Sequence, residues 1–403
     1  MTADSAPLHR APLHLAVALD GAGWHPAAWR EPRARPAELL TGRYWTDLVA
    51  EAERGLLDFV TLEDGFTVQS ADVGRVTGRL DAVLTAARVA PLTARIGLIP
   101  TVVATHTEPF HISKAIATLD YASNGRAGVR LRVSASRAEA ALFGRRDVPE
   151  IDLTDRDDPA ARRLLAALFD ETADFAEVIR RLWDSWDDDA EIRDAATGRF
   201  VDREKLHHID FTGDYFSVKG PSITPRPPQG QPIVAALGHG TVPNQLIAKA
   251  ADVGFVTPAG AGDARRIVAE IDTEFNAAAR TAADPVRVLA DLVVFLGPSA
   301  SAAADRKARL DELAGDVYAS DATVFAGTPA ELADLIADWR QAGLAGFRLR
   351  PGAIPDDLES ITRELVPELQ RRGLFRTAYE AGTLRGLLGL SRPASRYAVI
   401  GSK

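Results

Sequence analysis

Two arginines alternate with apolar residues in "GVRLRVS" at 128–134. In an extended strand that spacing puts Arg130, Arg132 and Ser134 on one face and Val129, Leu131 and Val133 on the other. A strand covered on both sides offers neither face to bulk water, and buried guanidinium groups demand anions. The anions can be internal: Glu63 and Asp64 end the apolar run "LDFVTLED", and Glu108 follows the run "RIGLIPTVV". They can equally be external, with Arg130 facing an anionic cofactor or intermediate. "GFRLRPG" at 346–352 repeats the pattern with Arg348 and Arg350.

A second chemical signal is "PIVAALGHGTVPNQLIAKAADVGF" at 232–255, which reads as strand, glycine-spaced turn, helix and strand. Backbone N–H groups of 239–241 at a helix start suit an anion such as phosphate. Yet the turn, Gly238-His239-Gly240, has no serine, its only nearby hydroxyl is Thr241, and Pro243 stands where the helix begins. Further candidates lie just past other apolar runs: Asp20, Trp24, His25, Trp29 and Arg30 in "LDGAGWHPAAWR", Thr101, and His106 and His111 in "ATHTEPFH". Each has a structural alternative, as loop anchor, helix cap or packing residue. His25, Asp64 and His106 could converge on a metal, but no H-x-H or H-E-x-x-H spacing supports one. "SWDDDAE" at 185–191 lacks the alternating ligands of a calcium loop and reads as a solvated helix end. No G-x-S-x-G elbow occurs, and the absence of cysteine removes thiolate chemistry.

The elements that must position these residues are regular. Eight short apolar runs, at 13–20, 57–64, 95–103, 127–134, 232–238, 252–258, 286–297 and 346–352, read as strands buried on both faces. Amphipathic stretches with apolar residues three and four apart lie between them. "GTPAEL" marks one helix start, with Thr328 as cap and Glu331 three residues on. This alternation predicts an α/β fold, a (β/α)8 TIM barrel, in one domain over 1–403. Two doubly wound domains are the rival, disfavoured because no Pro/Gly/Ser-rich linker divides the chain. Two stretches exceed the repeat: a polar insertion at 135–160 after strand 4, read as a lid, and 186–231 before strand 5, where "DFTGDYFSV" suggests a small hairpin. A tail at 375–403 is expected on the outside of the barrel or against a second subunit. The barrel's C-terminal face would then carry the site. The 403 residues are 46% hydrophobic with a net charge of −9 and no basic block. This argues against nucleic acid or an anionic membrane as partner. No run approaches the roughly 20 apolar residues of a membrane span, and no signal-type segment opens the chain, so a cytoplasmic protein is expected.

Several blocks together resemble the bacterial-luciferase-like, flavin-dependent monooxygenases, in the branch of nitrilotriacetate and dibenzothiophene-sulfone monooxygenases. They are "GAGWHPAAWR", "RIGLIPTVVATHTEPFHISKAIATLDYASNGRAG", "FAEVIRRLWDSWDDDA", "HIDFTGDYFSVKGPSITPRPPQG" and "ELVPELQRRGLFRTAYEAGTLRGLLGL". The resemblance implies a homodimeric or homotetrameric barrel. It implies reduced FMN supplied by a separate NAD(P)H:flavin reductase, and oxygenation of a small organic substrate by O2 through a C4a-peroxyflavin. It puts Asp64 and Thr101 on the flavin ring, with Arg130 and Ser134 lining it. His106 stands near the peroxide, and Gly238, His239 and Gly240 are at the phosphate. Trp24, His25 and Trp29 are expected on the substrate side. Three positions depart from the family pattern: an Asn-Val-Val-Thr-Ser run becomes "RLRVS", a phosphate-binding tyrosine aligns with Phe169, and a Gly-Ser-Ser turn becomes Gly-His-Gly. Three readings follow. The barrel uses reduced FMN with Arg130 steadying its charge; or it takes riboflavin or the deazaflavin F420; or it has become a flavin-free accessory subunit.

Overall fold

The computed structural model describes residues 12–149, 151, 158–278, 280 and 285–398. Eight parallel strands form a closed barrel: β1 (His14–Leu19), β2 (Phe59–Leu62), β3 (Gly97–Val103), β4 (Gly128–Arg132), β5 (Ile233–Gly238), β6 (Val253–Val256), β7 (Arg287–Leu296) and β8 (Gly346–Pro351). Each pairs with the next, and β8 closes on β1 with His14 opposite Gly346. All eight expected strands are present, and the (β/α)8 expectation holds. They are nearly continuous runs of buried residues because helices cover the outer face and side chains fill the inner one.

The outward residues Val129 and Leu131 join a helix-facing cluster with Ile112, Ile116, Phe175 and Trp183, while Arg130 turns inward, as the alternation requires. Inside, the lower barrel is apolar: Ala16, Phe59, Ile99, Ile233, Phe255 and Leu289 make the floor. Leu384, Leu388 and Leu390 of the tail join that layer from below, so the tail seals the N-terminal end.

Helix ends follow local chemistry. Thr328 and Glu331 form the anticipated capping box of the helix Pro329–Trp339. The helix after β5, Thr241–Ala250, does start at Thr241 despite Pro243, since a first-turn N–H has no intrahelical partner to lose. Between β4 and β5 lie a short helix, Arg137–Phe143, and the long helix Pro159–Asp184. Two hairpins follow, one of them the expected pair Phe211–Thr212 and Ser217–Val218. The expected lid at 135–160 is a helix over its first part; residues 150 and 152–157 lie outside the described residues.

One element was not foreseen. A ninth parallel strand, Thr323–Gly327, pairs with the upper half of β7, beyond the end of β6. Its entry delivers Asp321 to the C-terminal mouth. Among the described residues, no helix is long and apolar enough to cross a membrane.

Candidate active site

Above the apolar floor the barrel interior turns ionic. On β4, Arg130 Nη1 donates to both carboxylate oxygens of Glu63, the residue after β2, and lies 3.3 Å from Thr101 Oγ1 on β3. Glu63 also sits 3.5 Å from Arg348 on β8. Arg348 Nε donates to Asp291 of β7 at 2.8 Å, and Arg350 Nε donates to the same carboxylate at 3.0 Å. Arg350 reaches on to Asp321 at 2.5 Å, and the His239 ring is 3.6 Å from Asp321. A chain of alternating charge thus crosses the mouth from Thr101 to the turn after β5. Rings support it: Arg348 lies 3.9 Å above Phe255 and Arg350 4.5 Å above Trp24.

The charges do not cancel inside. Arg130, Arg348 and Arg350 are buried with Glu63 and Asp291, so three cations face two anions; the balancing carboxylate, Asp321, is 42% exposed at the rim. Burial opposes the charge on Glu63, but Arg130 and Arg348 overcome it and hold the carboxyl below its usual range. Asp291 is held down in the same way by Arg348 and Arg350. Burial pushes Asp321 up, and Arg350 outweighs it, bringing the carboxyl to about 2. Arg130 Nε–H is buried without any acceptor. A buried donor left unpaired costs roughly 1–3 kcal/mol. The cluster therefore has both surplus positive charge and a spare donor at the strand ends.

The other expected site residues divide. Thr101 is buried beside Arg130. The Asp64 carboxylate accepts from the amides of Gly65 (2.7 Å) and Ala82 (2.8 Å), anchoring the loop to the helix Ala82–Val89. Its neighbour Glu63 points inward instead. Ser134 is buried, and its hydroxyl accepts from Ser136 N at 3.2 Å, shaping the turn into the helix Arg137–Phe143. His25 is enclosed by Phe295 and Tyr318, with Nε2 on Asp311 at 3.0 Å and Nδ1 accepting from Ala27 N at 3.1 Å, so both nitrogens are engaged within the fold. Trp24 donates to the Ala18 carbonyl with its face under Arg350, inside the mouth. Trp29 donates to the Gly74 carbonyl, holding the loop after β2. Phe169 packs against the main core.

His106 lies apart from the ionic chain, in a pocket with Phe143, Arg145, Arg146, Glu171 and Tyr215. Its ring stacks on Phe143 at 5.3 Å, burial pushes its pKa down, and its Nε2 has no partner. A third cleft, of about 580 Å³, is lined by Gly238, His239, Gly240, Thr241, Glu270 and Asp321 among others. Sequence reasoning missed Asp291 and Asp321 as members of the site; an aspartate in the midst of "VRVLADLVVFLG" was the available signal for the first.

The model of the family described as luciferase-like monooxygenase matches residues 24–314 of the chain. The chain belongs to the luciferase-like monooxygenases. It is 30% identical to N-acetyl-S-(2-succino)cysteine monooxygenase of Bacillus subtilis (strain 168), over 96% of this chain and 98% of that protein. It is 30% identical to nitrilotriacetate monooxygenase component A of Aminobacter aminovorans, over 93% and 96%. Among solved structures, a riboflavin lyase determined with modified FMN and riboflavin superposes with a TM-score of 0.81 at 24% identity, covering 94% of this chain and 96% of that one. The family assignment agrees with the resemblance read from the sequence. Luciferase-like monooxygenases of this kind are enzymes.

Proposed function

We propose that this protein is a flavin-dependent monooxygenase that binds a reduced flavin at the barrel mouth and oxygenates a small organic substrate with O2. FMN delivered by a separate NAD(P)H:flavin reductase is the form the resemblance carries, as are a cytoplasmic location and a homodimer or homotetramer. The observation that supports the reading is Arg130, buried at the strand ends with an Nε–H that lacks an acceptor. Reduced flavin is anionic around N1 at neutral pH, so its ring fits that end of the site. The turn after β5 fits a phosphate less well, having lost its hydroxyls.

When bound, a reduced flavin supplies the two electrons that let one atom of O2 enter the substrate while the other leaves as water. The protein's part is to hold charge and exclude water. Arg130 gives the ring anion a fixed cation, with Thr101 beside it. Arg348 stands ready to retain Glu63 when Arg130 turns to the ligand, since it already lies within 3.5 Å of that carboxylate. Trp24, braced by Arg350, gives the mouth an apolar wall. His106, uncharged at neutral pH and with a free ring nitrogen, is placed to hydrogen-bond the substrate from the adjoining pocket.

The test is an anaerobic titration with reduced flavin followed by mixing with O2. Saturable binding and flavin-dependent oxygen uptake are expected. A protein that binds no reduced flavin at micromolar concentrations is the flavin-free accessory subunit instead, and this reading fails.

A further inference from the structure

The cleft after β5 carries information beyond the ring site. Its walls include three carboxylates, Asp263, Glu270 and Asp321. Their own cation is Arg266, which is bonded to Asp263 at 2.7 Å and lies 3.6 Å from Glu270. Arg350 reaches Asp321 from the barrel but is shared with Asp291. Burial lowers the pKa of His239, so the ring brings no charge at neutral pH. The start of the helix Thr241–Ala250 contributes about half a positive charge. The neighbouring helix start, at Gly260–Ala261, already has an anion in Asp263, which accepts from Ala259 N at 3.1 Å. The carboxylates outweigh these positive ends, so a phosphate dianion would enter a cleft that repels it.

The turn itself explains the missing hydroxyls. Gly240 has φ 149°, a conformation that strains any side chain, although the space around it is open. A serine there requires the turn to refold. Below it, Asn244 is 2% exposed and its Oδ1 has no donor. Carboxylates and an amide oxygen are acceptors; a phosphate has no hydrogens to give them at neutral pH, whereas hydroxyl groups do.

We infer that the tail end of this site takes an uncharged, hydroxylated chain, so that the preferred flavin is reduced riboflavin rather than reduced FMN. Ribityl hydroxyls would donate to Asp321, Glu270 and Asn244 and accept from the amides that open the helix Thr241–Ala250. The inference rests on the flavin reading above and narrows it.

The experiment compares anaerobic titrations of the intact protein with reduced riboflavin and reduced FMN, followed by flavin fluorescence or absorbance. Riboflavin binding more tightly than FMN supports the inference. FMN binding as tightly as riboflavin, or more tightly, overturns it and leaves the flavin reading intact. No binding of either flavin fails the flavin reading itself. Glu270→Gln supplies an independent arm: both flavins lose one charged acceptor for the ribityl chain, but only FMN is relieved of repulsion, so the ratio of FMN to riboflavin affinity should rise about three- to tenfold. Equal effects on both flavins, or none on either, count against a wall that selects by charge.

Discussion

Arg130 and Glu63 offer a pair of opposite perturbations on one ligand. Arg130→Ala removes the cation that faces the ring, so the buried cluster falls from one surplus positive charge to none. A hydrogen bond to a charged partner is worth about 1.5–3 kcal/mol, so the dissociation constant for reduced flavin should rise about ten- to a hundredfold. Oxidised flavin is neutral at the ring and should lose only a few-fold. Glu63→Gln keeps the shape and most hydrogen bonding of the side chain but raises the surplus to two, so reduced flavin should bind about tenfold tighter. Arg132 is 38% exposed and donates to the Asp64 carbonyl. Arg132→Ala should therefore change affinity by less than about threefold. Glu63 loses its main partner in Arg130→Ala, and the double variant with Glu63→Gln restores thermal stability and separates misfolding from weakened binding. The assay is anaerobic titration of each variant with reduced and with oxidised flavin. Equal losses for both redox states, or an Arg132→Ala effect matching that of Arg130→Ala, would refute the charge argument.

Three other outcomes can be measured. His239 is uncharged near pH 7.5 and gains a proton as pH falls below its ordinary value of 6.5, because burial depresses its pKa. FMN affinity relative to riboflavin should therefore rise as pH falls toward about 5.5, and His239→Ala should leave only the titration of the phosphate itself. Leu384→Ala, at a fully buried position in the barrel base, should cost about 2–5 kcal/mol in urea unfolding, with an unchanged flavin spectrum once folded. Gly346→Ala would place a methyl carbon 2.0 Å from the His14 carbonyl oxygen at the seam between β1 and β8. It should destabilise the barrel by about 3 kcal/mol or more; a neutral result would mean that the seam is not as tight as described.

The strands were legible because a parallel barrel leaves its strands as uninterrupted apolar runs, and all eight stood out. The strand Thr323–Gly327 did not, being five residues long and mostly half-buried at the rim. The site was legible in part. Alternation along "GVRLRVS" placed Arg130 correctly inside, and Glu63 was among the carboxylates named for it. What alternation cannot tell is which of two adjacent acids turns inward. Glu63 does and Asp64 does not, because the amides of Gly65 and Ala82 claim Asp64. His25 stood just past a strand end, where catalytic groups gather, but its partner Asp311 comes from 286 residues away and no local pattern announces it. Asp321 likewise enters on an element whose existence was not foreseen.

The stopper formed by Leu384, Leu388 and Leu390 has a consequence for assembly. These side chains share one layer with residues from β1, β2, β3, β5, β6 and β7, so the underside of the packed floor stays uncovered until residues past 384 have emerged and folded back. A nascent chain stalled ahead of that segment should therefore expose an apolar patch at the barrel base to chaperones.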